Sequence, residues 1–356
     1  MLWTMMHAPV ERPRHPADAL YHTARGPLVL LFYDGFEWRA RPGLVGGTLA
    51  QGRRLARYVY RSARRKQVRT GFYAAFVALR TALERRGCDV RVNDFATAAE
   101  MPGYPIGLAG YPQVIDAVAL PNPVVFGPGD FGASAAAAMV AAQPRMRLLI
   151  QPSDWFRDYY RPVCGDKVVT WFAGIDTRRW TPARRDAKTF DVLIYDKIRW
   201  KRPLLVPAVL DRLTAHFDRC GISYRVLRYG HHHQAMFASA LREARSLAFL
   251  CEHETQGLAY QEALAADVPV FAWDEGVLVD PQLSRDAPSG LSVSSVPYFD
   301  ARCGRTFRMA TIETAFDVFW EGRAGYRPRA YVEQCLSMKQ SADDYLALYA
   351  WAGNLG

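Results

Sequence analysis

Between residues 246 and 273 the chain runs from one apolar stretch, through a polar turn and a series of good helix formers, into a second apolar stretch. Ser246-Leu247-Ala248-Phe249-Leu250-Cys251 is short and apolar, which reads as a buried parallel strand. Residues 254–257 form the loop leaving it, residues 258–266 the helix it feeds, and Val268-Pro269-Val270-Phe271-Ala272-Trp273 the next buried strand. A strand, turn, helix and strand in this order commit this part of the chain to α/β layering.

The turn carries its own chemistry. Glu254 and Glu262 have seven residues between them, and Gly257 follows shortly after the first. Gly257 lets the backbone come close to a ligand, while the free N–H groups of the first helical turn and the helix dipole favour phosphate. Glu254 at the loop's mouth can accept hydrogen bonds from sugar hydroxyls. Glu262, about one turn into the helix, can reach a pair of vicinal hydroxyls such as those of a ribose. An isolated pair of this kind has a plainer reading as an acid near a helix start and a solvated helix residue.

A chain of 356 residues is too long for one ordinary domain, so two are expected. Six scattered cysteines, with no Cys-x-x-Cys pair and no zinc spacing, read as reduced thiols of a cytoplasmic protein. Residues 1–26, rich in Pro, His and Arg, lack an apolar signal core and are expected to be largely disordered. No apolar stretch approaches the ~20 residues that span a bilayer.

The net charge of +10 is concentrated in one place. From Trp38 to Leu83 there are eleven Lys and Arg and no acid, so the rest of the chain nets −1. Leu55, Ala56, Val59, Tyr60 and Ala63 fall on one helical face, and Arg53, Arg54, Arg57, Arg61, Arg64 and Arg65 on the other. Such a helix suits an anionic membrane surface. An ordinary surface helix whose Arg stems cover apolar core fits equally, and a nucleic-acid backbone is the weaker rival.

Elsewhere, Pro27 to Tyr33 reads as a first strand, the basic segment 38–69 as an insertion, and Gly71 as the opening of a helix to about Arg86. Asp89 to Val92 makes the next strand, so the domain begins as a doubly wound α/β unit. Gly127 to Gly132 forms a Gly/Pro loop at a strand end, where Asp130 either faces a ligand or bonds its own turn. Phe190 to Tyr195 starts a second α/β series, followed by Lys197, Arg199, Lys201 and Arg202. Tyr224 to Tyr229 is a strand ending at Gly230 and three histidines, which splay too widely for a metal site.

The Glu254–Glu262 turn and the stretch Gly174-Ile175-Asp176 … Pro182 resemble the donor turn and interdomain connector of retaining GT-B glycosyltransferases, above all the family 4 type. The resemblance covers roughly residues 70–350. It implies an α/β protein of two Rossmann-like doubly wound domains facing a cleft, with a last helix crossing back to the first domain. The boundaries it suggests are an acceptor domain over 27–173, a linker over 174–182, a nucleotide-sugar domain over 183–326 and crossover helices over 327–356.

In such enzymes the first glutamate holds the donor sugar and the second the ribose, which assigns Glu254 and Glu262. Thr255, Gln256, Gly257 and Leu258 would bind donor through the turn, Gly71 would admit its phosphates, and Gly230 would lie near the base. The family places an Arg and a Lys after the strand to neutralise pyrophosphate. Here Lys197 replaces the Arg, and either Lys201 or Arg202 is the second cation. No Asp-x-Asp occurs, in keeping with a site that uses fixed cations and a helix dipole, without metal or cofactor. No histidine occurs between His22 and His216, so Asp130 is the candidate in the place where relatives carry an N-terminal-domain histidine. The implied partners are a nucleotide-sugar and a sugar or lipid-linked acceptor, with an anionic inner membrane face as a peripheral surface. A silent sugar-nucleotide binder and a nucleic-acid-binding protein are the rival functions.

Overall fold

The computed structural model describes residues 16–35, 37–41, 48, 52, 53, 55, 56, 60, 71–129 and 131–354. Two sheets organise them. The first holds β1 (His22–Thr23), β2 (Gly26–Asp34), β3 (Asp89–Val92), β4 (Ile106–Gly110), β5 (Val124–Gly129), β6 (Met146–Gln151) and β7 (Val168–Thr170). β3 pairs with one side of β2, and β4 to β7 follow in order on the other, all parallel; β1 is a short antiparallel hairpin partner of β2. Alternation explains the layering. Leu28, Leu30 and Phe32 enter the core on one face, Val29, Leu31 and Tyr33 the core on the other. Helix α1 (Gly71–Arg85) covers the second of these faces, and helix α2 (Asp154–Cys164) the first.

The second sheet holds β8 (Phe190–Asp196), β9 (Tyr224–Arg228), β10 (Ala244–Leu250), β11 (Val270–Trp273) and β12 (Gly304–Phe307), in the parallel order β12-β11-β10-β8-β9. Helices α3 (Arg212–Cys220), α4 (Gln234–Glu243), α5 (Leu258–Ala265), α6 (Ile312–Gly322) and α7 (Pro328–Cys335) cover its faces: α4, α5 and α7 one, α3 and α6 the other. The strand order turns back between β8 and β10. In an open α/β sheet that reversal leaves a crevice at the strands' carboxyl ends, where ligands bind.

Helix α8 (Met338–Asn354) returns to the first domain and packs against α1 and the sheet. The indole of Trp171 donates to the Ser341 carbonyl at 2.8 Å, and the Leu30 amide donates to the Tyr349 hydroxyl at 3.0 Å. Gly107 faces the Tyr345 ring so closely that any side chain there would collide with its hydroxyl. The connector is held too: Asp176 takes a bidentate pair from Arg85 at 2.8 and 2.7 Å, and the Ile175 amide donates to the Leu336 carbonyl.

Two expectations change. Residues 16–26 carry structure: Pro16–Ala19 forms a turn, His22–Thr23 pairs with β2, and Ala17 and Leu20 are buried in the core, because their apolar side chains complete the α1–α8 layer. Residues 1–15 lie outside the described residues. In the basic segment, residues 48, 52, 53, 55, 56 and 60 are helical, but Leu55 and Tyr60, placed on an apolar face, are 65% and 55% exposed. Arg54, Arg57, Arg61, Arg64 and Arg65 lie outside the described residues, and Arg53 is exposed. Among the described residues no helix is long and apolar enough to cross a membrane.

Candidate functional site

The crevice of the second sheet brings the end of β8 against the turn after β10. β8 and β10 are in register from Phe190–Ala244 to Asp196–Leu250, so Lys197 and Glu254 both leave the sheet at the same edge. The Lys197 ammonium pairs directly with the Glu254 carboxylate, both side chains largely hidden from water. Burial alone would favour the neutral carboxyl, yet Lys197 and Arg199 outweigh it and hold Glu254 below its ordinary range. Lys197 is correspondingly held up by Glu254 against its own desolvation, and its ammonium lies 4.5 Å from the Tyr229 ring centroid.

The neighbouring residues fix this pair. Glu252 accepts the Arg199 and Trp200 amides at 3.0 Å each, clamping the loop after β8 onto the turn after β10. Arg199 donates from its guanidinium to the His253 carbonyl at 2.7 Å. The His253 ring is stacked on Trp200, with centroids 4.8 Å apart, and meets Trp155 edge-on at 5.8 Å. Trp155 comes from the first domain, and its indole donates to the Glu254 carbonyl at 2.8 Å. The seam between the domains therefore runs through the turn.

Gly257 has φ 84°, and a side chain there would strike the Tyr260 ring, so glycine is required by the turn itself. Helix α5 starts at Leu258, leaving its first amides without intrahelical partners. Glu262, in the second turn of α5, is half-buried. Desolvation pushes its carboxyl up to about 8, opposed by Arg179, and the side-chain amide of Gln234 donates to it at 3.4 Å. Burial above all, then Tyr229, Glu254 and Glu262, raise the pKa of the Tyr195 phenol on β8.

Not every residue expected here has a free side chain. Gln256 spans the domain seam instead, its amide accepting from the Ala173 amide at 2.9 Å and donating to the Ala173 carbonyl at 2.7 Å. Leu258 packs against the cores of both domains. Arg202 makes a bidentate pair with Asp196 at 2.9 and 2.7 Å, because a buried carboxylate at the end of β8 needs a cation. Lys201 is exposed with φ 45° and makes no ion pair among the described residues. Thr255 is half-buried in the turn, and Gly230 is exposed just after β9. Gly71 is exposed at the start of α1 with open space where a Cβ would lie. Asp130 lies outside the described residues. A group of metal-ligand type, His216, Cys220 and Asp317, sits on α3 and α6, on the sheet face opposite to α5.

Sequence reading passed over Trp155, Trp200, His253 and Tyr229. Trp155 had a signal, since Pro152-Ser153-Asp154-Trp155 follows a strand of the first domain. His253 is adjacent to Glu254 but is distinguished only by its burial.

Two Rossmann-like domains with parallel sheets, joined through a connector and closed by a terminal helix returned to the first domain, define the GT-B fold. Among solved structures the chain is similar to a sucrose-phosphate synthase from Thermosynechococcus elongatus, with a TM-score of 0.56 and 12% identity over 92% of this chain and all of that one. It is similar likewise to a glycosyltransferase from Rickettsia africae ESF-5 (TM-score 0.52, 10% identity, 92% and 99% of the two chains). A third is the apo lipopolysaccharide outer core galactosyltransferase WaaB (TM-score 0.50, 9% identity, 91% and 99%). No protein-family model and no curated protein matches the sequence.

Proposed function

We propose that the chain is a glycosyltransferase that takes a sugar from a nucleotide-sugar and passes it to a glycan, lipid-linked or polysaccharide acceptor, with retention and without a metal. The observation that carries this reading is the Lys197–Glu254 pair at the strand-order reversal, one helix turn and a glycine away from Glu262. Glu262 would accept the ribose hydroxyls, since a carboxyl short of protein partners is available to ligand donors. The first amides of α5 and the cations near β8 would hold the diphosphate as its charge develops. Glu254 would orient the sugar, and release of Lys197 from it would place an ammonium beside the leaving group.

Calorimetry with UDP, GDP and ADP, and turnover with their sugar esters, tests the reading. Glu262→Ala should abolish nucleotide affinity, and Glu254→Ala should abolish transfer while largely sparing it. Equal loss of both properties in both variants contradicts the assigned roles.

A silent sugar-nucleotide binder is the second reading, favoured by one observation: Arg202 is committed to Asp196, which leaves fewer cations for a departing diphosphate. Nucleotide-sugar binding without transfer or hydrolysis across acceptor panels would establish it. The basic segment is the part of the chain suited to an anionic membrane surface. Sedimentation with anionic vesicles that survives reversal of Arg57, Arg61 and Arg65 to Glu would overturn that role.

A further inference from the structure

Helices α3 and α6 pack together on the face of the second sheet away from α5. Arg212 donates to both oxygens of Glu313 at 2.7 and 2.6 Å, and the Phe217 and Phe316 ring centroids are 4.5 Å apart. Three further side chains meet between these helices. His216 and Cys220 are four residues apart and so share one face of α3, and Asp317 comes from α6. The Asp317 Oδ1 is 2.8 Å from the His216 Nε2, and the Cys220 Sγ is 3.8 Å from the same nitrogen. One ligand atom from each residue lies within 4.8 Å of the other two. A tetrahedral zinc ion with bonds of about 2.0–2.3 Å sets neighbouring ligand atoms about 3.2–3.7 Å apart, so movements of about an ångström or less would seat one. The His216 ring is buried and held edge-on by Phe316, with centroids 5.9 Å apart. Cys220 and Asp317 are exposed, which opens the group to solvent and leaves an outward fourth position for water.

We propose that His216, Cys220 and Asp317 bind a divalent ion of the zinc class, which clips α3 to α6. A thiolate, an imidazole and one carboxylate suit a borderline-soft cation, whereas calcium and magnesium need sets of oxygen ligands that a single carboxylate does not supply. On binding, the Cys220 thiol gives its proton to solvent and its sulfur bonds the ion; thiolate and carboxylate then balance the ion's two charges. The Arg219 guanidinium lies 3.3 Å from the His216 Nδ1, which makes Nε2 the N–H that faces Asp317. Ligation moves that proton to Nδ1 and frees the Nε2 lone pair, while Arg219, which is exposed, turns to solvent. The other local cation, Arg212, is committed to Glu313. A histidine–aspartate hydrogen bond accounts for His216 and Asp317 alone; it gives no reason for a thiol beside the same nitrogen. The site lies on the sheet face opposite to α5, apart from the Glu254–Glu262 turn, and takes no part in transfer.

The test uses the reduced full chain and the metal alone. Calorimetry with zinc chloride should show binding, and cobalt(II) chloride should give the near-ultraviolet absorption of a sulfur-to-cobalt charge transfer. Cys220→Ser should abolish that absorption. Cys220→Ser and Asp317→Asn should each weaken zinc by about tenfold or more, at least the loss that follows removal of an outer-sphere partner. Both residues are exposed, so both variants keep the fold, which circular dichroism checks. Zinc at about a hundredfold excess over its Kd should raise the unfolding midpoint of the unaltered chain by roughly 5–10 °C and that of Cys220→Ser by much less. Absence of zinc binding overturns the proposal. So does a zinc affinity that either variant leaves unchanged, which would mean an ion held elsewhere, for example by His231, His232 and His233. No nucleotide enters the measurement, so its outcome is independent of the donor reading.

Discussion

The ammonium of Lys197 and the carboxylate of Glu254 meet where the second sheet reverses its strand order. Each charge is tolerable there because of the other. Removing one leaves an uncompensated charge away from water, which costs about 3–5 kcal/mol, whereas removing both is far milder. Glu254→Gln and Lys197→Met should each be strongly destabilised in urea unfolding. The double variant should recover most of the loss, giving a large coupling in the cycle. Additive single effects would show that the pair is not coupled.

Glu262 and His253 predict opposite slopes of stability against pH. The Glu262 carboxyl is raised from 4.5 to about 8, so between those values the folded state binds more protons than the unfolded one. Its stabilising effect is complete below 4.5 and is lost as pH rises through 8. His253 is lowered from 6.5 to about 4, so the unfolded state binds more protons in that window. Stability is complete above 6.5 and is lost as pH falls towards 4. Unfolding midpoints across pH 4–9 should flatten on the alkaline side in Glu262→Gln and on the acid side in His253→Gln.

Gly257→Ala tests the turn. Left-handed backbone costs an alanine on the order of 1–3 kcal/mol, and the collision with Tyr260 adds to that. The variant should lose at least this much in denaturant unfolding and lose nucleotide affinity as well. Tyr260 is fully buried, so it has little room to retreat.

Gln256→Leu tests the seam. The substitution leaves the Ala173 amide and carbonyl buried without partners, at about 1–3 kcal/mol each. Limited proteolysis should accelerate around residues 173–180, with bare nucleotide affinity changed less than by Glu262→Ala. A larger fall in nucleotide affinity than in stability would return Gln256 to a direct role.

Legibility differed between the two domains. The strands at 190–196, 244–250 and 270–273 were readable because buried parallel strands are continuous apolar runs, and Gly257 stood out because few residues accept its backbone. The pairing of Arg202 with Asp196 was not readable. Asp196 lies six residues away along the chain, and only the end of β8 makes it a buried acid that requires a cation. Residues 16–26 were misread for a related reason: their composition is that of a tail, but Ala17 and Leu20 complete a layer supplied by α1 and α8.

By itself the sequence determined the α/β layering, the two-domain division and the turn carrying Glu254, Gly257 and Glu262, because periodicity and backbone restriction act over a few residues. Only tertiary structure decided which charges face one another and which polar groups are left without partners. Those outcomes depend on burial, and burial at the seam is set by segments as far apart as Trp155, Glu254 and Ser294 meeting across two domains.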